Sequence, residues 1–168
     1  LEQAISSEST IIRAMPNTPS AIGKGITALI GNSAAKNEHM MISKILLEKI
    51  SEVVELEHED QMDIVTGLSG SGPAYVFYLI ESLTIAGIEL GLSKEKALQL
   101  AKATVAGSGA LAMSSEENPS VLRENVTSPN GTTQAGLEIL MDKKYGLVPL
   151  IKSTVKAAAK RSKDLGNG

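Results

Sequence analysis

The pattern of apolar and polar positions divides the chain into two parts with different predicted secondary structure. Short apolar or β-branched runs at residues 10–14, 26–30 and 53–56 predict three strands, and residues 37–50 place apolar side chains at helical spacing. Strand, strand, helix, strand is the order of an α/β unit. The two prolines of residues 15–19 predict that the first strand leads into extended or turn structure and not into a helix.

From about residue 58 onward the pattern predicts only helices. Residues 74–90 follow Pro73 and carry apolar side chains on nearly every face. A soluble helix of this kind must be buried, and a second copy of the same helix can bury it. The chain is therefore predicted to be mainly α, with an α/β part followed by an all-helical domain. Caps and periodicity predict further helices at residues 93–114, 119–122, 133–143 and 147–165.

Composition narrows the classes of function. A net charge of −3 and an aromatic content of 2% argue against a nucleic-acid surface with stacking side chains. No apolar run is long enough to span a bilayer. The absence of cysteine excludes disulfides and thiolate metal sites, and His39 and His58 have no second ligand at metal spacing, so no metal site is expected. Residues 1–9 resemble the tail of a helix and lack an initiator methionine, so we expect a preceding portion to be missing.

Two segments and three acidic residues are candidates for chemistry. Residues 126–133 combine hydroxyl side chains, a proline and a glycine ahead of a predicted helix, so they can aim hydroxyls and N–H groups at a small anion. A loop with a helix cap explains the same residues. Residues 70–73 offer either an anion site or a tightly packed helix entry. Glu59, Glu116 and Glu117 lie beside turns; they are either solvated charges or partners for an amine or iminium group. No Gly-x-Gly-x-x-Gly follows a strand.

Residues 15–19, 68–75 and 126–133 occur in the order and at the spacing seen in pyrroline-5-carboxylate reductases, which this chain resembles over essentially its whole length. The resemblance implies reduction of 1-pyrroline-5-carboxylate to L-proline with NADPH or NADH. It also implies that residues 1–57 are the C-terminal remnant of a Rossmann domain. Residues 58–168 would then be a helical dimerisation and substrate-binding domain of a cytoplasmic homodimer or larger oligomer.

The same resemblance assigns roles to individual residues. The Ser128 hydroxyl and the N–H groups around Thr132 and Thr133 would bind the substrate carboxylate, with the Thr133 hydroxyl near the ring nitrogen as the catalytic group. The substrate-binding set is Ser128, Gly131, Thr132, Thr133, Glu59 and Glu116, and the cofactor-binding set is Met15, Asn17, Thr18, Pro19 and Asn125.

This sequence departs from the family pattern in two ways. Asn130 stands where most relatives have glycine; asparagine tolerates left-handed geometry, so the turn is expected to form. The glycine-rich loop of the Rossmann fold is absent from the sequence, so the chain alone is expected to bind cofactor poorly and to be inactive. Two alternatives stay open: a helical dimerisation module without catalysis, and a related imine reductase of Rossmann-plus-helical design.

Overall fold

A computed structural model describes residue 5 and residues 8–166 of the chain. The chain forms two compact units: Leu1–Pro73 together with Ser153–Gly168, and Ala74–Lys152. This division by compactness does not coincide with the predicted domain boundary after residue 57, which stays a prediction. The predicted helix tail at residues 1–9 lies mainly outside the described residues.

The first unit is built on a three-stranded mixed sheet in the order β1-β2-β3. β1 (Ile12–Met15) pairs antiparallel with β2 (Gly25–Gly31), which pairs parallel with β3 (Ser51–Glu55). β2 is the central strand and supplies the core, since Thr27 and Leu29 are fully buried. The helix α1 (Asn37–Leu47) contacts all three strands. The predicted α/β order is confirmed in the described residues.

The first unit also holds α2 (Gln61–Val65), which runs directly into a π-helical turn, Thr66–Gly70. Met62 of α2 is buried. A Cβ added to Gly67 would lie 2.9 Å from both the backbone N of Ala159 and the backbone O of Val155. The Ser162 hydroxyl donates to Asp63 Oδ1 at 2.7 Å. Residues 153–166 therefore pack against the segment around Gly67.

The second unit consists of helices. They are α3 (Gly72–Glu89), α4 (Lys94–Ser114), α5 (Pro119–Asn125), α6 (Thr132–Leu140) and the start of α7 (Leu147–Gly166). Gly87 and Ala97 bring α3 and α4 close, because a Cβ on Gly87 would lie 3.2 Å from the Ala97 Cβ. Much apolar surface of α3 stays uncovered within the chain: Phe77 is 63% exposed and Tyr78 is 67% exposed.

Several predicted boundaries are wrong, and one prediction of structure is wrong. The segment after β1 does contain a helix, the short 3-10 helix Thr18–Ile22, with Pro19 in its first turn. A proline is tolerated there because the first N–H groups of a helix have no intrahelical acceptor. α1 ends at Leu47 and not at residue 50, since the Ile50 N–H donates to the Leu47 carbonyl and the chain enters β3. α5 continues three residues beyond Leu122.

α6 ends at Leu140, short of the predicted residue 143, because Asp142 forms the turn that follows. Asp142 Oδ1 accepts from the backbone N–H of Tyr145 at 2.6 Å and of Lys144 at 2.8 Å. These two bonds, the Tyr145 bond first, hold the pKa of Asp142 below its ordinary value of 3.8. A charged acceptor binds backbone N–H groups more strongly than a neutral one.

This turn gives the protein a pH-dependent contribution to stability. Because the folded-state pKa of Asp142 is lowered, the contribution is present above pH 3.8 and is lost as the pH falls through the lowered pKa. Asp142→Asn keeps the shape but not the charge. We therefore expect a lower Tm than wild type at pH 6 and equal Tm values once Asp142 is protonated; a Tm difference that does not change with pH would contradict this expectation.

Candidate functional site

The turn before α6 is built on Pro129 and Asn130. The Gly131 N–H donates to the Ser128 carbonyl at 3.0 Å, which closes a four-residue turn. Asn130 has a φ of 59° and is the only non-glycine residue of the described chain in the left-handed region. Proline at the second position and a positive φ at the third are the marks of a type II turn. The expectation that asparagine can take the place of glycine here is confirmed.

Gly131 lies directly against Ser128. A Cβ at position 131 would be 2.3 Å from Ser128 Oγ and 3.0 Å from the Ser128 carbonyl oxygen. The Gly131 backbone itself, at φ −83° and ψ 170°, is open to any residue. The requirement for glycine therefore comes from the close approach of Ser128 to residue 131, and not from the backbone conformation.

The first turn of α6 has free donors. Gly131 is the N-cap and provides no side chain, and the first helical bond runs from the Ala135 N–H to the Gly131 carbonyl at 3.2 Å. In the part of the chain that the structure describes, the N–H groups of Thr132, Thr133 and Gln134 have no protein acceptor. Together with the positive end of the helix dipole, they form a place for a carboxylate or another small anion.

Two further predicted residues, Glu116 and Asn125, lie on the neighbouring α5 segment of the same unit. Asn118 caps α5 by accepting from the Ser120 N–H at 3.0 Å. The start of the helix is therefore fixed just after Glu116 and Glu117. The Asn125 amide donates to Glu117 Oε2 at 3.3 Å. Glu116 is exposed, and among the described residues its carboxylate has no partner.

The predicted cofactor segment, residues 15–19, follows β1 in the first unit. Asn17 Oδ1 accepts from the Ile26 N–H at 3.0 Å and the Asn17 carbonyl accepts from the Ser20 N–H at 3.1 Å, so this residue holds the loop on β2. The Met15 methyl group lies against Gly70, where a Cβ would be 2.5 Å away. The side chain of Thr18 is exposed.

Glu59 belongs to the first unit as well, and its carboxylate forms an ion pair with the Arg13 guanidinium. Both side chains are largely exposed, at 61% and 44%. The pair links the start of the α2 segment to β1. Sequence reasoning found Glu59 and missed Arg13, because their separation of 46 positions leaves no local signal.

The structure thus gathers one compact set in the second unit, which also contains Glu116 and Asn125. The remaining predicted residues lie in the first unit: Met15, Asn17, Thr18, Pro19 and Glu59. Ser128, Gly131, Thr132 and Thr133 share a single turn and helix start. Gln134, which sequence reasoning missed, belongs to the same set, and a glutamine at the third position of a helix is the signal that could have identified it. The described residues contain no group of three or more His, Cys, Asp or Glu that could hold a metal ion. No helix among them is long and apolar enough to cross a membrane.

Comparison with known proteins assigns this arrangement to a class of enzyme subunits. The family profile described as "Pyrroline-5-carboxylate reductase dimerisation" matches residues 59–165. Because the match covers more than half of the chain, the chain belongs to the pyrroline-5-carboxylate reductase family. The predicted combination of a Rossmann-type remnant with a helical domain agrees with this assignment.

Individual relatives agree. The chain is 41% identical to pyrroline-5-carboxylate reductase 1 of Bacillus subtilis over 165 residues, which is 98% of this chain and 54% of the relative. It is 44% identical to the pyrroline-5-carboxylate reductase of Synechocystis over 156 residues, covering 93% of this chain and 57% of the relative. The chain therefore spans little more than half the length of these relatives.

Two solved structures have the same fold. A pyrroline-5-carboxylate reductase from Coxiella burnetii superposes with a TM-score of 0.92 at 36% identity, covering 98% of this chain and 60% of that one. Pyrroline carboxylate reductase of Plasmodium falciparum, solved with NADP bound, gives a TM-score of 0.86 at 33% identity, covering 98% and 62%.

Proposed function

We propose that this chain is the substrate-binding and dimerisation part of an NADPH- or NADH-dependent reductase that converts 1-pyrroline-5-carboxylate to L-proline. The family membership of the chain supports this reaction. The observation that carries it is the first turn of α6, where three backbone N–H groups have no acceptor among the described residues and the Ser128 hydroxyl lies close to Gly131. A cyclic imine that bears a carboxylate needs such an anion site.

On this proposal the turn and its neighbours bind the substrate. Ser128 Oγ and the N–H groups of Thr132 and Thr133 hold the carboxylate, and Gly131 leaves room for that hydroxyl. The Thr133 hydroxyl lies near the ring nitrogen and serves as the catalytic group. Glu116, whose carboxylate is unpartnered in the described chain, supports the positive charge on the nitrogen. Glu59, whose carboxylate pairs with Arg13 within the first unit, is kept as a proposed substrate-binding residue.

Residues 15–19 and Asn125 contribute to the cofactor site. The segment contains no basic residue and exposes Thr18 beside the half-buried Met15 and Pro19, so it suits the uncharged nicotinamide end and not the phosphates. Asn17 contributes by fixing this loop on β2. Asn125 offers its amide from α5. The phosphate-binding residues would come from a glycine-rich loop that this sequence does not contain.

The chemistry requires little from the side chains. When bound, a nicotinamide cofactor would supply a hydride to the carbon of the C=N bond, and the nitrogen would keep its proton and become the secondary amine of proline. A protonated imine is already a good hydride acceptor. The protein therefore contributes through position and a prepared electrostatic environment, which hydroxyl groups and backbone N–H groups can provide.

The second unit also serves dimerisation on this proposal. Large apolar side chains of α3 are exposed in the single chain, among them Phe77 and Tyr78 at 63% and 67%, and Leu90, which follows the helix, is 89% exposed. A surface of this kind is expected to be covered by another protein, and a second copy of this chain is the partner that the family profile suggests. Assembly beyond the dimer and a cytoplasmic location complete the proposal; the cysteine-free composition agrees with a reducing compartment.

The deciding experiment follows the oxidation of NADPH and of NADH with 1-pyrroline-5-carboxylate, for the complete protein that contains this chain and for the chain alone. We expect activity in the complete protein only. Turnover of other cyclic imines but not of this one would favour a related imine reductase. A stable dimer without any reductase activity in the complete protein would favour the pure dimerisation module.

Two neighbouring glutamates provide a matched test of the nitrogen-binding role. We expect Glu116→Gln to raise KM for 1-pyrroline-5-carboxylate about 3- to 10-fold. The substitution removes the negative charge of the Glu116 side chain, which is proposed to lie near the positively charged nitrogen of the substrate. Glu117→Gln removes the same charge one position away but can still accept from Asn125, so its KM should stay at the wild-type value. Equal KM values for the two variants would remove Glu116 from the site.

A further inference from the structure

The Gln134 side chain connects the turn to α6. Gln134 is the third residue of the helix, and its Oε1 accepts from the Asn130 N–H at 2.8 Å. Its Nε2 donates to Glu138 Oε1 at 3.1 Å, one helical turn further on. In an ordinary capping box, a glutamine at this position accepts from the N–H of the N-cap residue. Here the N-cap is Gly131, whose N–H is already bound to Ser128, and Gln134 reaches back one residue further.

Gln134 holds the non-glycine residue that, within the described part of the chain, has a positive φ. Asn130 has a φ of 59°, which glycine adopts freely and asparagine adopts at some cost. The conformation of Asn130 sets the direction in which the chain enters α6. It therefore also sets the distance between Ser128 Oγ and the first N–H groups of the helix. A bond to the Asn130 N–H counteracts the tendency of this residue to leave the left-handed region.

We propose that Gln134 is a positioning residue of the substrate site: it holds Asn130 in the left-handed conformation that keeps Ser128 and the first turn of α6 in register for the substrate carboxylate. The inference rests on the proposed function for the identity of the ligand. The hydrogen bond itself stands independently of that function.

A double-mutant cycle in the complete protein tests the proposal. Gln134→Leu removes the acceptor and keeps the approximate size of the side chain. We expect it to raise KM for 1-pyrroline-5-carboxylate about 3- to 10-fold, the effect of one net hydrogen bond, with a smaller change in kcat. In the Asn130→Gly background the same substitution should change KM less than about twofold, because glycine holds the positive φ unaided. Glu138→Ala, which removes only the outer bond of Gln134, should leave KM at the wild-type value.

Hydrogen–deuterium exchange of the complete protein, read at the Asn130 amide, gives a signal that does not depend on activity. We expect protection in the wild type that is lost in Gln134→Leu and kept in Glu138→Ala. Equal KM increases in both backgrounds, or fast exchange at Asn130 in the wild type, would overturn the inference while leaving the proposed function intact. If the wild-type protein does not reduce 1-pyrroline-5-carboxylate, the proposed function fails and the substrate role of Gln134 fails with it, even where Asn130 is protected.

Discussion

Replacing Gly131 with alanine is expected to lower kcat/KM for 1-pyrroline-5-carboxylate by about 100-fold, the cost of misplacing a binding group by roughly 1 Å. The added Cβ would meet Ser128 Oγ at 2.3 Å and the Ser128 carbonyl at 3.0 Å. The Ser128 side chain, the backbone of the turn or both must shift to make room for it. The variant therefore displaces the group that is proposed to bind the substrate, although the backbone conformation of residue 131 is allowed for alanine.

Gly136 in the same helix is the matched control. Nothing lies within 4 Å of a Cβ added there. Gly136→Ala should keep wild-type kinetics and stabilise α6 by up to about 1 kcal/mol, from helix propensity alone. Steady-state kinetics and thermal unfolding of the two variants separate the effect on the site from the effect on the helix. Wild-type kinetics for Gly131→Ala would contradict the proposed role of the Ser128 hydroxyl.

The second large effect concerns stability. Gly67→Ala is expected to lower the free energy of unfolding by about 1–3 kcal/mol, as overpacking of a closely packed interior does. The new Cβ would lie 2.9 Å from two backbone atoms, the Val155 O and the Ala159 N. Backbone atoms of a helix cannot rotate out of the way as a side chain can. The helix segment or the π-helical turn has to shift instead.

Denaturant unfolding of the complete protein measures this loss, and Gly72 supplies the control. Gly72 begins α3, and an added Cβ there meets nothing within 4 Å. Gly72→Ala should change the free energy of unfolding by less than about 0.5 kcal/mol. If both variants changed the free energy of unfolding by a similar amount, the close contact between Gly67 and α7 would not be what makes an added Cβ destabilising.

The elements that local signals define could be predicted from the sequence. The apolar run of β2, the serine that caps α4 and the proline at the start of α5 each act within a few residues, and the structure has these elements in those places. The ends of helices were predicted less accurately, because polar side chains near a helix end also bind backbone groups. Asp142 binds the N–H groups of the following turn, so α6 ends three residues earlier than its periodicity predicts.

The 3-10 helix after β1 was missed for a different reason. A proline is disfavoured in the interior of a helix but fits the first turn. Two prolines within residues 15–19 do not show whether the second one excludes a helix or begins one. The Asn17 side chain, which accepts from Ile26, holds the segment in this form. That contact depends on where β2 lies, and the sequence does not show it.

Some features of the candidate site could likewise be predicted from the sequence, and others could not. The turn at Ser128–Gly131 could be predicted because proline, asparagine and glycine are adjacent. The partners of the predicted acids could not, since Arg13 and Glu59 meet only after the chain has folded. Gln134 lies between these cases: its bond to Asn130 spans four residues, but a glutamine in a helix has many other uses. The roles of the predicted site residues stay predictions.

The packing of α7 residues 153–166 in the first unit has a consequence for the order in which the protein can fold during synthesis. The segment around Gly67 and Asp63 is made early, but its partners Val155, Ala159 and Ser162 leave the ribosome about ninety residues later, after the whole second unit. Part of the interior of the first unit therefore stays exposed until residues 153–166 have been synthesised. Variants that slow this closing step are expected to reduce the yield of folded protein in cells more than they reduce its equilibrium stability.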